Sequence, residues 1–324
     1  MKGYSEGHMD GHVDGIGRMD GILVVNKPRD HTSHDVVARL RGILRTKRIG
    51  HGGTLDPMAV GVLPIMVGHA TKASSYLLGD KEYVAEAVFG LATDTQDVTG
   101  RTLESSDKRP TREELLLALE SFRGRIMQVP PMVSAVKIDG KKLVDLHRRG
   151  LEVARPARPV IVHSLTLEAF SRGGCTLRAY VSKGTYIRTL VHELGLKLGC
   201  YAALSALTRT RSEPFSLDQS HTLEEIEQSS ADGRALELLL PLDSLFAGYP
   251  SVRISGRDES LCRNGNPFPL PKSQPPIPPL PLDGLCRVYG EMGDFLVLGR
   301  SDIRDGIVYV RPEKVFLISS GMAR

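Results

Sequence analysis

Short apolar runs alternate along the chain with polar turns that contain glycine or proline. The run at residues 22–25 ends at Asn26-Lys27-Pro28, which predicts a buried strand followed by a turn. Behind Ser33, a residue that can cap a helix, apolar residues recur at helical spacing. These positions are Val36, Val37, Leu40, Ile43 and Leu44. The early part of the chain therefore predicts a strand and then an amphipathic helix.

Similar patterns continue to about residue 245. Strands are predicted at residues 61–67, 81–90, 132–138, 160–170, 176–181 and 202–210. Helices are predicted at residues 70–78, 115–122, 141–149, 185–199, 222–228 and 233–239. The second of these follows a capping box of Thr111 and Glu114. From about residue 250 short strands follow, at residues 285–289, 295–299, 307–310 and 315–318.

Two segments fit neither pattern. Residues 1–19 are rich in Gly, His and Asp, and we expect a disordered tail there. Residues 267–281 contain eight prolines, which predicts an extended insertion of the polyproline type.

The composition allows a well-packed protein. A chain of 324 residues, 41% of them hydrophobic, can form one large domain and a small one. No stretch approaches the roughly 18 consecutive apolar residues of a membrane span, and the start of the chain lacks the apolar run of a signal peptide. Cys175, Cys200, Cys262 and Cys286 form no C-x-x-C pair, which argues against a thiolate zinc site. We therefore expect a cytoplasmic protein with reduced thiols.

Charge is unevenly distributed, although the net charge is only +4. Residues 27–72 hold eight Lys or Arg against three Asp or Glu, and residues 137–158 hold seven against three. Residues 213–245 hold one basic residue against eight acidic ones. Cationic regions attract the phosphate backbone of nucleic acids, and an acidic region should face away from it. Basic residues that only keep the surface soluble are the alternative, and net charge alone does not reject it.

The most informative segment is HGGTLDPMAVGVL, at residues 51–63. Its one acidic residue, Asp56, follows two adjacent glycines, which let backbone approach a ligand closely. Pro57 biases Asp56 away from the helical conformation, so the carboxylate can stand on a loop at the rim of a cleft. An Asp-Pro pair taken alone is more often a solvated turn. The basic residues just upstream favour a carboxylate that acts on a polyanionic substrate.

Five segments stand out in order along the chain. They are GILVVNKP (21–28), GGTLDPMAVGVLPIMVGHATK (52–72), KEYVAEAVFG (81–90), PPMVSAVKIDGKKLVDLHRRG (130–150) and SKGTYIRTLVHELG (182–195). Together they resemble the bacterial tRNA pseudouridine synthases of the TruB family. The resemblance is continuous from about residue 20 to residue 212 and weak beyond it.

This resemblance implies an α+β fold. A catalytic domain at residues 20–248 would contain a mixed, mainly antiparallel sheet flanked by helices, followed at residues 249–324 by a small PUA-like β domain of the RNA-binding kind. It also implies isomerisation of uridine to pseudouridine at position 55, in the T-loop of tRNA, without cofactor or metal. We expect a monomer whose partner is the tRNA T stem-loop.

The catalytic residues implied by the resemblance are Asp56, Tyr83 and Arg188. Asp56 would be the catalytic carboxylate, acting on a sugar or base as carboxylates do in glycosidases. Tyr83 would pack on the base once it has left its stack in the RNA. Arg188 would pair with Asp56 and hold it ionised. A tyrosine at a strand end is also a common packing residue, and that interpretation of Tyr83 stays open.

Four further residues would bind the substrate. Tyr186 and Leu207 would line the uracil pocket, and His51 would fill the gap that the flipped base leaves in the RNA. Lys27 belongs to the NKP motif, although an exposed turn lysine is an equally good interpretation.

Two other classes of function stay open. One is a non-catalytic tRNA-binding protein or RNA chaperone on the same scaffold, against which the presence of Asp56, Tyr83 and Arg188 counts. The other is a different RNA-modifying enzyme, such as a methyltransferase. The chain has no G-x-G-x-x-G or P-loop pattern and no glycine-rich strand-to-helix turn for an adenosyl donor. We therefore expect no nucleotide cofactor.

Overall fold

A computed structural model describes residues 19–77, 79–270, 279–304 and 306–316. The predicted tail, apart from residue 19, and residues 271–278 of the proline-rich insertion lie outside this description. Within the described ranges, no helix has the length and apolar character needed to cross a bilayer.

Strands and helices alternate irregularly along the chain. The strands are β1 (Gly21–Lys27), β2 (Ile49–His51), β3 (Val60–Val67), β4 (Lys81–Phe89), β5 (Leu91–Thr93), β6 (Thr102–Ser105), β7 (Gly124–Gln128), β8 (Lys137–Ile138), β9 (Lys141–Lys142), β10 (Arg158–Ser171), β11 (Gly174–Val181), β12 (Ala202–Ser212), β13 (Phe215–Ser216), β14 (Ser251–Arg253), β15 (Phe268–Pro269), β16 (Leu285–Tyr289), β17 (Phe295–Arg304) and β18 (Ile307–Val315). The helices are α1 (Ser33–Ile43), α2 (Arg112–Glu120), α3 (Leu143–His147), α4 (Ile187–Leu198), α5 (Leu223–Ala231) and α6 (Gly256–Arg263). Short 3₁₀ helices span Gly68–Tyr76, Leu217–Gln219, Ala235–Leu238 and Leu242–Phe246.

A nine-stranded sheet forms the centre of the molecule. Its strand order is β1-β3-β12-β4-β11-β10-β7, with β2 beside β3 and β13 beside β12. The pairing of β3 with β12 is parallel, and the other pairings are antiparallel. The predicted mixed, mainly antiparallel sheet is therefore confirmed. The parallel junction places the loop before β3 next to the middle of β12.

Amphipathic helices cover one face of this sheet. Helix α4 lays Leu190, Val191 and Leu194 into a core that also takes the apolar stripe of α1. Helix α1 begins with a capping box formed by Thr32 and Asp35. The predicted cap, Ser33, is wrong by one residue, because Thr32 takes that position.

At β1 and β3, the opposite face of the sheet is covered in part by the C-terminal part of the chain. Residues Ile22 and Val62 pack there with Phe246, Leu298 and Phe316. The C-terminal strands form a second sheet in the order β14-β16-β17-β18-β15, with a core of its own. The α+β fold with a smaller β part is thus confirmed.

Several predicted elements differ from the structure. Residues 132–136 do not form a strand, because Ser134 and Val136 accept backbone bonds from the start of α3 and Met132 packs on that helix. The helices predicted at residues 70–78 and 233–239 are instead the 3₁₀ helices Gly68–Tyr76 and Ala235–Leu238. The prediction of a separate strand at residues 315–318 is wrong for residues 315 and 316, because β18 runs on to Val315 without a break. Residues 317 and 318 lie outside the described ranges.

Two helical glycines give a matched test of the packing of α4 on the sheet. A Cβ on Gly195 would lie 2.1 Å from the backbone nitrogen of Ala202, whereas a Cβ on Gly42 of α1 would meet nothing within 4 Å. We expect Gly195→Ala to lower the free energy of unfolding by about 1–3 kcal/mol, as overpacking does. Gly42→Ala should raise it by up to about 1 kcal/mol, through helix propensity alone. Urea unfolding of both variants measures the difference, and equal effects would contradict the close approach of α4 to β12.

Candidate active site

A bidentate ion pair joins Asp56, in the loop before β3, to Arg188, in the first turn of α4. Arg188 Nε donates to Asp56 Oδ2 at 2.8 Å, and Nη2 donates to Oδ1 at 3.1 Å. The Arg188 side chain is 3% exposed and that of Asp56 is 33% exposed. A fork of this kind holds a carboxylate in one orientation. The carboxylate of Asp56 is therefore partly exposed to solvent, and its orientation is fixed by Arg188.

The other donors of Arg188 are held by two further loops. Nη1 donates to the carbonyl oxygen of Thr95 at 2.9 Å, and Nη2 donates to that of Val133 at 2.7 Å. The buried carboxylate of Asp97 lies 3.8 Å from Nη1 and accepts a hydrogen bond from the Thr95 hydroxyl. A buried guanidinium is stable only when its charge and its N–H groups are matched in this way.

The start of α4 places Arg188 where its positive charge opposes the helix dipole. Tyr186 occupies the N-cap position without a capping bond from its own side chain. Gln128, at the end of β7, binds the backbone there instead, since its Oε1 accepts from Tyr186 N at 2.8 Å and its Nε2 donates to Tyr186 O at 3.0 Å. The carboxylate of Asp56 supplies the negative charge that this helix terminus favours.

Asp56 stands on a loop that is tied down at several points. The backbone N–H of Leu55 donates to the Ser33 hydroxyl at 2.9 Å. On β12, Arg209 is 1% exposed and donates to three backbone carbonyls, those of Val62 at 2.7 Å, Gly53 at 3.2 Å and Thr54 at 3.4 Å. The loop backbone is therefore held from both sides, and the carboxylate does not depend on Arg188 alone for its position.

The ion pair borders a cavity of about 330 Å³. Tyr83 of β4 and Leu207 of β12 come from neighbouring strands and line it together with Tyr186. Tyr83 is 7% exposed and Leu207 is 6% exposed, while burial raises the pKa of the Tyr186 phenol. The volume is in the lower range of small-molecule sites, and the aromatic and aliphatic walls suit a flat ring. Five of the seven predicted site residues therefore meet in one cavity.

Lys27 does not reach this cavity. It is fully buried behind the loop, where its ammonium donates to the carbonyl oxygens of Pro28 at 2.8 Å, His31 at 2.6 Å and Pro57 at 3.1 Å. Burial lowers its pKa to about 8. The interpretation of Lys27 as an exposed turn lysine is wrong. The bond to Pro57 supports the backbone directly after Asp56.

His51 also lies outside the cavity lining, although Gly52 beside it is part of that lining. Its ring is half-buried and packs edge-on against His34, with ring centroids 5.2 Å apart. Burial lowers the pKa of His51, which favours the neutral imidazole.

Three cations at the cavity were not among the predicted site residues. Lys81, Lys183 and Arg209 line it along with Arg188. Lys81 opens the KEY segment and Lys183 stands in SKGTYIR, so the quoted motifs contained both without indicating a role. No pattern indicated Arg209, because its partners are backbone carbonyls far away in the chain.

The arrangement can present a fixed carboxylate to a flat ring that enters a cavity with a cationic side. Among the described residues, no group of three His, Cys, Asp or Glu side chains is placed to hold a metal ion. The chemistry visible here is that of one carboxylate, two tyrosines and the surrounding cations.

Two family models match adjoining parts of the chain. Residues 41–187 match the TruB family pseudouridylate synthase N-terminal domain. Residues 188–247 match the tRNA pseudouridylate synthase B C-terminal domain.

Known proteins similar to this chain agree with those matches. The tRNA pseudouridine synthase B of Halalkalibacterium halodurans is 40% identical over 306 residues, 92% of this chain and 97% of the relative. That of Symbiobacterium thermophilum is 49% identical over 258 residues, 78% of this chain and 84% of the relative. A chain in the crystal structure of a Cbf5-Nop10-Gar1 complex is 26% identical, with a TM-score of 0.70 over 92% of this chain and 85% of the other.

Lys27, which is buried, and Lys81, which is half-buried, should lose their protons at a lower pH than ordinary lysines. Because burial lowers the pKa of Lys27 and of Lys81 from 10.5 to about 8, the folded chain releases these protons before the unfolded chain does. Both groups therefore make the folded state more stable as the pH rises from about 8 to 10.5. NMR titration of lysine-labelled protein should show two side chains with midpoints near pH 8, one of them missing in Lys81→Met. Midpoints above pH 10 for both would contradict the burial of these groups.

Proposed function

The chain belongs to the TruB family of pseudouridylate synthases, and from this premise we propose that it isomerises uridine to pseudouridine at position 55 in the T-loop of tRNA. The family and its tRNA pseudouridine synthase B relatives support synthesis of pseudouridine in tRNA. The observation that carries the finer proposal is the Asp56–Arg188 pair at the edge of a cavity with aromatic and aliphatic walls.

We propose that the target uridine leaves its stack and enters this cavity. A base inside folded RNA cannot reach a recessed carboxylate, and extruding it costs a few kcal/mol. Packing between Tyr83 and Leu207 would return part of that free energy through aromatic and apolar contact. His51, beside the cavity at Gly52, is proposed to fill the space that the base leaves in the RNA.

Asp56 is proposed as the group that acts on the flipped nucleotide. The reaction breaks the N1–C1′ bond, rotates the uracil and forms the C5–C1′ bond, and a proton is lost from C5 while N1 gains one. Attack at C1′, addition at C6 and a glycal route each need a carboxylate in a defined place, and the fork of Arg188 fixes the orientation of Asp56. Tyr83, packed on the ring, is proposed to take part in transfer of the C5 proton.

A non-catalytic RNA-binding protein on this scaffold is the second candidate, and the site speaks against it. A buried guanidinium loses hydration, and a chain that only bound RNA would have no need to keep Arg188 at 3% exposure beside one carboxylate. Binding alone is served better by exposed arginines, which contact phosphates directly.

Several broader assignments belong to the same proposal. We propose the T stem-loop as the part of tRNA that is recognised, action as a monomer, and a division between catalytic and PUA-like domains near residue 248. The separate core of the C-terminal sheet supports that division. We place the enzyme in the cytoplasm, since Cys175, Cys200, Cys262 and Cys286 are all buried free thiols.

Pseudouridine mapping on treated tRNA tests the function. The purified protein should convert uridine 55 of an unmodified tRNA transcript and leave the other uridines unchanged. Asp56→Asn should lower the rate by at least about a thousandfold while tRNA binding persists, because the amide keeps the shape and loses the charge. Tritium release from C5-labelled tRNA measures the rate, and near wild-type release by Asp56→Asn would end the proposal.

The fork geometry of Arg188 gives a second test. Arg188→Lys keeps the positive charge but cannot make two parallel bonds to one carboxylate. We expect both Arg188→Lys and Arg188→Leu to lose activity by roughly a hundredfold or more, as when one fixed donor is removed from an active site. Circular dichroism should confirm that each variant is folded. Full activity in a folded Arg188→Leu variant would refute the role of the pair.

A further inference from the structure

Three of the four cations at the cavity have no carboxylate partner. Arg188 is paired with Asp56, but Lys81, Lys183 and Arg209 make no ion pair within 4.0 Å to any carboxylate in the part of the chain that the structure describes. Burial has the larger effect in lowering the pKa of Lys81, and the positive charges of Arg209 and Lys183 lower it further. Like charges that gather without counter-charge at a binding site favour an anionic ligand.

Two carboxylates, Asp80 and Glu213, act electrostatically on Lys81, but both are bonded to other residues. Asp80 lies 2.7 Å from Nε2 of His163, and Glu213 accepts a hydrogen bond of 2.5 Å from the Tyr180 hydroxyl. The ammonium of Lys81 donates instead to the neutral carbonyl oxygen of Gly79 at 2.5 Å. An ammonium has three donors, so Lys81 keeps donors for a ligand in the cavity.

The three cations differ in what they can offer. The guanidinium of Arg209 is buried and donates to three backbone carbonyls, so it contributes charge rather than contacts. Lys183 is exposed on the loop before α4, and Lys81 is half-buried at the start of β4. The two lysines are therefore the groups that can reach a ligand at the mouth of the cavity.

Gly53 lies in the same cavity lining, next to Lys81 and Arg209. A Cβ at Gly53 would lie 3.9 Å from Lys81 Cε and 3.9 Å from Arg209 Nη1. Its φ of +139° also favours glycine.

We propose that Lys81 and Lys183 together bind one of the two phosphates that flank the flipped uridine. This inference rests on the proposed function. A uridine that enters base-first leaves its sugar near Asp56 and its two phosphodiester groups at the mouth of the cavity. Binding one of them there would hold the sugar against the carboxylate, so the lysines act as positioning residues.

Neutral backbone linkages test this assignment directly. Two T stem-loop RNAs would carry a methylphosphonate either 5′ or 3′ of the target uridine. With one of them, the wild-type kcat/KM should fall by roughly tenfold or more, as for the loss of a hydrogen bond to a charged group. Lys81→Gln and Lys183→Gln should each show a similar fall on unmodified RNA. On the RNA that lacks the contacted charge, neither substitution should cause a further loss.

The controls separate this contact from general electrostatics. Lys197→Gln removes the same charge from an exposed lysine of α4 outside the cavity lining, and it should show the full penalty for the neutral linkage. Lys81→Arg should recover part of the activity. Lys183→Gln changes an exposed loop residue, so it reports on the contact even where Lys81→Gln folds poorly.

The outcomes distinguish this inference from the proposed function. Suppose that the wild-type protein forms pseudouridine, but that the loss of kcat/KM from a lysine substitution is as large on both methylphosphonate RNAs as on unmodified RNA. The phosphate contact is then wrong, and the function stands. If the wild-type protein forms no pseudouridine in unmodified T stem-loop RNA, both are wrong.

Discussion

The bidentate bond between Arg188 and Asp56 joins two parts of the chain that lie 132 residues apart in sequence. It satisfies a buried guanidinium, offsets the helix dipole at the start of α4, and orients a partly exposed carboxylate. Each of these effects depends on the others. Without the carboxylate, the helix would begin on an unmatched buried charge, and without the guanidinium, the carboxylate would be free to rotate on a glycine-rich loop.

The surrounding fold serves this one contact. The parallel junction of β3 with β12 brings the Asp56 loop beside the sheet, where Arg209 and Lys27 bind its backbone carbonyls. Buried cations that bind only carbonyl oxygens are costly to desolvate. Their use on both sides of one loop shows that the position of that backbone is strongly determined, and a site that must act within about 0.5 Å needs such support.

The electrostatic balance of the cavity follows from the same arrangement. Four cations and one carboxylate line it, and only one of the four cations is neutralised by that carboxylate. An enzyme for a polyanionic substrate gains from this excess, since the ligand itself supplies the missing charge. The acidic stretch at residues 213–245 bonds to other parts of the chain. Glu213 accepts a hydrogen bond from the Tyr180 hydroxyl, and Glu227 pairs with Arg39 of α1.

Local pattern was sufficient for most of the long elements and for the segment that holds the carboxylate. Alternation at residues 81–90 and apolar spacing at residues 185–199 predicted β4 and α4 closely, and the capping box of Thr111 marked the start of α2, because hydrophobic period and cap chemistry are local properties. The resemblance to a family identified five residues that the structure places at one cavity. Only the tertiary structure decided that Lys27 is buried, that Arg209 holds the loop, and that residues 132–136 fold against α3 rather than into a sheet. These outcomes depend on contacts between separate segments of the chain, and no local pattern of side chains predicts such contacts.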